Sequence, residues 1–149
     1  MELTHLIGKT GNPFTFKVEQ RHIRQFAQAI GDSNPLYTDE EYAKKTPYKG
    51  IIAPLTFPIA VKPDDENDNF DLGLDYRRML HGEQQFKYSR PIRAGETLYC
   101  HMKVTDVYEK DGKNGAMEFI LLDTEINDVN GEHIVTSRTN ILYRPLVTN

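Results

Sequence analysis

The chain is expected to form an α+β domain in which an antiparallel sheet wraps one buried helix, and three features of its 149 residues point there. Helical periodicity is confined to the N-terminal part. Two-residue alternation fills the chain after Gly82, and the most apolar run lies between the two. Helices followed by strands segregate the element types, which argues against alternating βαβ units and a parallel sheet. One domain over residues 1–149 is expected, because two halves would each bury too little surface to be stable.

Phe14, Phe16 and Val18 alternate behind the turn residues Gly11, Asn12 and Pro13, which predicts a short opening strand. The period then changes. Ile23, Phe26, Ala27 and Ile30 follow i, i+3, i+4, i+7 and place one apolar stripe on a helix that Gly31 ends in a left-handed conformation. Thr38 and Glu41 have capping-box spacing, so a second short helix is expected to begin at Asp39 and to stop before Pro47. The run GIIAPLTFPIAVK, residues 50–62, is expected to be the buried central helix, with Pro54 in its first turn and Pro58 kinking it. Residues 63–75 are acidic and polar and read as a surface loop.

Four long strands follow. Phe86 and Tyr88 share a face, as do Leu98, Cys100, Met102 and Val104, then Met117, Phe119 and Leu121, then Val135, Ile141 and Tyr143. Gly95, Gly112, Gly115 and the Asn130–Gly131 pair punctuate these runs as turns. A sheet with one apolar face must cover it, and a hydrophobic helix held in an antiparallel sheet does so with the elements available. This arrangement is the hotdog topology.

Composition narrows the function classes. A net charge of −4 with both signs mixed along the chain provides no basic footprint for nucleic acid. No run approaches the ~18 apolar residues of a membrane span, and the first residues lack a signal-like apolar core, so a cytoplasmic protein is expected. The single cysteine, Cys100, excludes an internal disulfide, and it alternates with core residues. The five histidines do not fall at metal-ligand spacings, and no flavin, nicotinamide or metal signature is present; no cofactor is expected.

The segment GDSNPLYTDEEYA, residues 31–43, carries the chemistry. It resembles the G-D-x-N-P-x-H-x-D motif of MaoC-like (R)-specific enoyl-CoA hydratases: Gly31, Asp32, Asn34, Pro35 and Asp39 match, whereas Tyr37 stands where the motif has histidine. The strings APLTF at 53–57 and HGEQQFKYSRPIRAGETLYC at 81–100 resemble the MaoC dehydratase N-terminal family, or FAS1-like dehydratases. That family includes the substrate-binding A subunit of the mycobacterial (3R)-hydroxyacyl-ACP dehydratase, which pairs with a catalytic B subunit. The resemblance spans roughly residues 14–144 and implies a hotdog fold, an acyl-CoA or acyl-ACP thioester as ligand, and a dimer or a hetero-oligomer with a catalytic MaoC-like subunit.

Hydrating an enoyl thioester, or dehydrating its 3-hydroxyacyl partner, needs a base, an acid and donors for the enolate oxygen. In the family motif the aspartate and histidine are the acid–base pair, and amides at the start of the central helix polarise the carbonyl. Here the resemblance assigns catalysis to Asp32, and in an independently active hydratase Tyr37 or His81 would be the surrogate for the missing histidine. It assigns substrate binding to Asn34 and to the amides of Gly50, Ile51 and Ile52. Tyrosine, with an unperturbed pKa near 10, is a poor base at neutral pH. Asp32, Ser33 and Asn34 are also ordinary turn formers, His81 begins a strand, and Arg90 and Arg93 either meet coenzyme A phosphates or are solvated. Three functions stay open: the acyl-binding, catalytically degenerate subunit of a hydratase or dehydratase; an independently active homodimeric hydratase; and a non-catalytic acyl-CoA-binding module. A thioesterase is disfavoured, since residues 50–62 contain no Asp or Glu.

Overall fold

A computed structural model describes residues 2–65 and 70–146. The chain runs β1 (Phe14–Lys17), α1 (Gln20–Ala29), α2 (Glu40–Lys44), β2 (Met79–Tyr88), β3 (Thr97–Gly112), β4 (Gly115–Asn127) and β5 (His133–Tyr143). Short 3-10 turns occupy Thr4–Leu6, Pro35–Tyr37, Phe57–Ala60 and Tyr76–Arg78. All five strands join one sheet in the order β1-β3-β4-β5-β2, and every pairing is antiparallel. The four long strands and the opening strand are those the alternation predicts. β2 and β1 form the two edges.

The core has two parts. Val18, Ile23, Phe57, Ile92, Leu98, Cys100, Ile126 and Val135 build a first cluster that joins α1 to the sheet. Leu3, Leu6, Val104, Val107, Ile120, Ile141 and Tyr143 build a second toward the other end. Between them on β2 and β5, Gln84 donates to the Ser137 hydroxyl at 2.7 Å and accepts from Thr139 at 2.9 Å. Their polar side chains divide the apolar face. A bulge between His81 and Glu83 shifts the β2–β5 register at Gly82, where a Cβ would approach the Asn140 carbonyl oxygen to 3.2 Å. Glycine spares the two backbones that tight contact at the bulge.

Three expectations need correction. Residues 50–62 do not form an α-helix. Ile52 instead bridges Arg93, with Ala53 N–H donating to Ile92 O at 2.9 Å and Ala94 N–H to Ile51 O at 3.0 Å, and the run then closes as the 3-10 turn Phe57–Ala60. The reason is the proline spacing. Pro58 has no N–H for the carbonyl four residues back, which belongs to Pro54, and its ring crowds that carbonyl, so an α-helix cannot propagate through it. Bonds three residues apart replace it: Phe57 to Pro54, Ile59 to Thr56 and Val61 to Pro58. The segment still supplies the core, with Phe57 almost fully buried, beside α1 as the one long helix.

The second correction concerns β4. Its inward face carries Glu118, Ile120 and Ile126 rather than Met117, Phe119 and Leu121, because a strand apolar on both faces gives no unique register. Phe119 instead stacks on Tyr108 of β3 at 4.9 Å on the opposite face. The third is the loop at 63–75. Residues 66–69 lie outside the described residues, but Phe70, Leu72 and Leu74 pack against the second cluster, so this segment is partly core. A smaller shift affects α2: its cap is Asp39, whose carboxylate accepts from Tyr42 N–H at 3.1 Å, and not the Thr38–Glu41 pair.

Candidate functional site

The motif segment is a series of caps. Gly31, with φ 72°, reverses the chain after α1, and Asp32 N–H donates back to Ala27 O at 2.9 Å. Asp32 Oδ1 then accepts from Asn34 N–H at 3.0 Å, Asn34 Oδ1 accepts from Leu36 N–H at 3.0 Å to open the turn Pro35–Tyr37, and Asp39 caps α2. Each polar side chain of the motif thus closes the next turn. Asn34 spends its oxygen in this way. Asp32 keeps its second carboxylate oxygen outside any hydrogen bond among the described residues and stays exposed.

The same turns set Tyr37 against the first core cluster, half-buried. Burial raises its phenol above the ordinary tyrosine value; the nearby Asp32 carboxylate raises it further, and Tyr48 adds to the shift. At neutral pH Tyr37 is therefore a neutral hydrogen-bond donor, within electrostatic reach of both Asp32 and Tyr48. Asp32 and Tyr48 thus both act on the Tyr37 phenol. Nothing in the sequence marks Tyr48, which sits in the turn between α2 and the apolar run without periodicity or motif.

The remaining expected residues divide. Gly50 and Ile51 lead into the Ile52–Arg93 bridge rather than into a helix, so no helix dipole concentrates positive potential on this stretch. The amides of Gly50, Ile51 and Ile52 nevertheless donate to no backbone carbonyl among the described residues, and neither do those of Leu55 and Thr56 before the 3-10 turn. Tyr88 of β2 holds this stretch by donating to Leu55 O at 2.7 Å, and burial keeps its phenol well above the ordinary range. His81 is exposed on β2 opposite Ile141, a residue of the second cluster, whereas Tyr37 packs on the first. Among the described residues His81 makes no hydrogen bond or ion pair with Asp32 or Tyr37. Cys100 is core, 2% exposed, and burial pushes its thiol up to about 12. Arg90 is held by Glu96 through two bonds of 2.9 and 2.8 Å and by Asp128 at 3.6 Å.

A cleft of about 450 Å³ opens between α1 and the 3-10 turn, lined by Phe16, His22, Phe26, Phe57 and Ala60 among others. The aromatic rings of Phe16, Phe26 and Phe57 meet there edge to face, at 5.6 to 6.2 Å. No group of three or more His, Cys, Asp or Glu side chains among the described residues is placed to hold a metal. No helix among them is long and apolar enough to cross a membrane.

A five-stranded antiparallel sheet around one long helix, with the motif turn at that helix's C-terminus, defines a hotdog-fold protein of the MaoC-like dehydratase kind. Residues 5–137 match the family model of the FAS1-like dehydratase domain region, and the chain belongs to that family. Among its relatives is a UPF0336 protein of Thermobifida fusca, 40% identical over 135 residues that cover 89% of this chain and 86% of the relative. Two solved structures share the fold. The C-terminally truncated HadBC (3R-hydroxyacyl-ACP dehydratase) complex of Mycobacterium tuberculosis matches with a TM-score of 0.74 at 24% identity, covering 94% of this chain and 98% of the other. The MaoC-like dehydratase of Rhodospirillum rubrum matches with a TM-score of 0.67 at 20% identity, covering 94% of each chain.

Proposed function

We propose that this chain is the acyl-binding, catalytically degenerate subunit of an (R)-specific enoyl-thioester hydratase or 3-hydroxyacyl-thioester dehydratase, whose partner supplies an intact aspartate–histidine pair. The observation that carries the proposal is Tyr37. It occupies the motif's histidine position beside Asp32, and its surroundings raise its pKa, so it stays protonated where a base must be free to take up a proton. Asp32 orients water or the 3-hydroxyl group, the apolar cleft between α1 and the 3-10 turn takes the acyl chain, and the uncommitted amides of Gly50, Ile51 and Ile52 face the thioester carbonyl. His81 acts only if a second chain brings it to the cleft. Assembly from unlike subunits has a precedent in the HadBC complex, which shares this fold.

The test is a hydration assay with short and long enoyl-CoA substrates on the purified chain and on its complex with any co-purifying partner. Turnover is expected only for the complex. Asp32→Asn retains an oxygen to cap Asn34 and so keeps the turn, while turnover falls by roughly two to four orders of magnitude if Asp32 orients the water. Efficient hydration by the pure chain alone overturns the degenerate-subunit reading.

A further inference from the structure

Ser89, His133, Thr136 and Glu125 meet beyond the end of β2 in a chain of hydrogen bonds that the hydratase reading does not use. The Ser89 hydroxyl lies 2.6 Å from His133 Nδ1, and His133 Nε2 lies 2.8 Å from Thr136 Oγ1. Thr136 Oγ1 in turn reaches both Glu125 oxygens, at 2.9 and 2.8 Å. Glu125 Oε2 also stands 3.6 Å from His133 Nε2. Ser89 is exposed, and 34% of the His133 side chain is open to solvent. A bulge builds this arrangement. β4 and β5 pair Ile126 with Val135 but Asn127 with His133, so Ile134 is an extra residue on β5. In a regular strand residues 133 and 136 point to opposite faces, and one inserted residue brings them to the same face. The extra residue turns inward beside Val135, both fully buried, while Thr136 lies directly across from Glu125. The Ile134 carbonyl accepts the Ser89 N–H at 2.7 Å and so holds the serine beside the ring.

Counting protons fixes the direction of the chain. A carboxylate only accepts, so Thr136 spends its one hydroxyl proton on Glu125, and its oxygen accepts from His133 Nε2–H. The lone pair of Nδ1 is then free to accept from the Ser89 hydroxyl. Every bond points the same way, from Ser89 through the imidazole to the carboxylate. A hydroxyl on a base that a further group orients is the constellation of an activated nucleophile. The amides of Ser89 and Arg90 both turn to Ile134 O, at 2.7 and 3.4 Å, and so are not available to a developing oxyanion. Without that help the serine is suited to esters whose leaving group departs easily.

We propose that Ser89 is a nucleophile toward activated carboxylic esters, with His133 as its base and Thr136 and Glu125 as positioning residues, an activity separate from hydration or dehydration. Ser89 Oγ bonds to the ester carbonyl carbon as its proton passes to His133 Nδ1. The carbon–oxygen bond to the leaving alcohol breaks, and the departing oxygen takes that proton. Water, giving a proton to the same Nδ1, then attacks the acyl-serine; the carboxylic acid is released and the proton returns to Ser89 Oγ. Glu125, 3.6 Å from Nε2, steadies the imidazolium formed in each half. The test is incubation of the full chain with p-nitrophenyl acetate, with p-nitrophenol release followed by absorbance and the acetylated residue located by peptide mass spectrometry. The acetyl group is expected on Ser89, and Ser89→Ala should reduce release to the rate without protein. His133→Gln should slow acetylation by about a hundredfold or more, the contribution of a positioned base. Thr136→Val keeps a branched side chain on the strand but removes the hydroxyl, and it should slow the reaction about tenfold, the loss of one hydrogen bond. Thr136→Ser restores the hydroxyl and should recover most of the rate, a pattern that a packing role would not produce. This pair keeps the test decisive if His133→Gln folds poorly. Acetylation confined to lysines, release unchanged in Ser89→Ala, or Thr136→Val as fast as wild type overturns the proposal.

Discussion

The proposed loss of the base turns on one side chain, Tyr37. The cap series from Gly31 to Asp39 is complete, so the backbone that would aim a histidine still aims the residue at that position. A phenol there, raised by burial and by Asp32, keeps its proton near neutrality and offers only a hydrogen bond. Imidazole has an unperturbed pKa of about 6.5 and both takes up and gives up a proton there. Tyr37→His is therefore expected to create or raise hydratase turnover of the pure chain by roughly ten to a hundredfold, below the full range of acid–base catalysis, because a pocket shaped for phenol does not orient imidazole fully. If wild type is efficient alone and Tyr37→His abolishes turnover, Tyr37 is itself a catalytic group. Cys100 supplies a prediction of another kind. Burial raises the folded thiol from 9.0 to about 12, so as pH rises the unfolded chain ionises first. Stability is intact below the ordinary thiol pKa and falls as pH climbs toward about 12, with Tyr88 acting in the same direction. Urea midpoints from about pH 8 to about pH 11 should decline, and Cys100→Ser should flatten the slope.

At the level of elements, legibility followed the number of constraints on each segment. α1 and its stop at Gly31 were readable because a 3.6-residue stripe and a left-handed terminator agree on one structure. Gly31→Ala tests this directly. A Cβ there meets nothing within 4 Å, so its cost of about 1 kcal/mol, read from the urea midpoint, comes from the backbone alone. The apolar run at 50–62 carried contradictory signals, since its hydrophobicity fits a buried helix while Pro58 interrupts one, and the proline prevailed. On β4 both faces are apolar, so alternation could not choose between Ile120 and Phe119. The motif made Asp32 and Tyr37 legible as neighbours. Tyr48 was not, because its effect on Tyr37 acts between segments that no local pattern records.

Across the whole molecule, charge, apolar surface and sheet edge are unevenly distributed. β2 is ten residues long and ends the sheet, with one edge lacking a strand among the described residues. Such an edge offers a row of backbone donors and acceptors to another chain. Beside it, tied to β2 by the Tyr88–Leu55 hydrogen bond, the apolar run exposes Leu55 at 59% and Ile59 at 55%. An open strand edge flanked by exposed aliphatic side chains is the surface a second hotdog domain would cover, and it lies next to the stretch whose amides face the proposed thioester. The chain is therefore expected to be a dimer, with itself or with a catalytic partner, at micromolar concentration by light scattering. Leu55→Glu provides the control. Because Leu55 is largely exposed in the single chain, a carboxylate there costs the fold little, whereas in an apolar interface it must be desolvated without a partner. The variant should keep the wild-type circular dichroism spectrum and shift toward monomer, and turnover that depends on a shared cleft should fall with it. A wild-type chain that stays monomeric, both alone and with any co-purifying MaoC-like protein, removes the shared cleft and leaves Asp32 without a base.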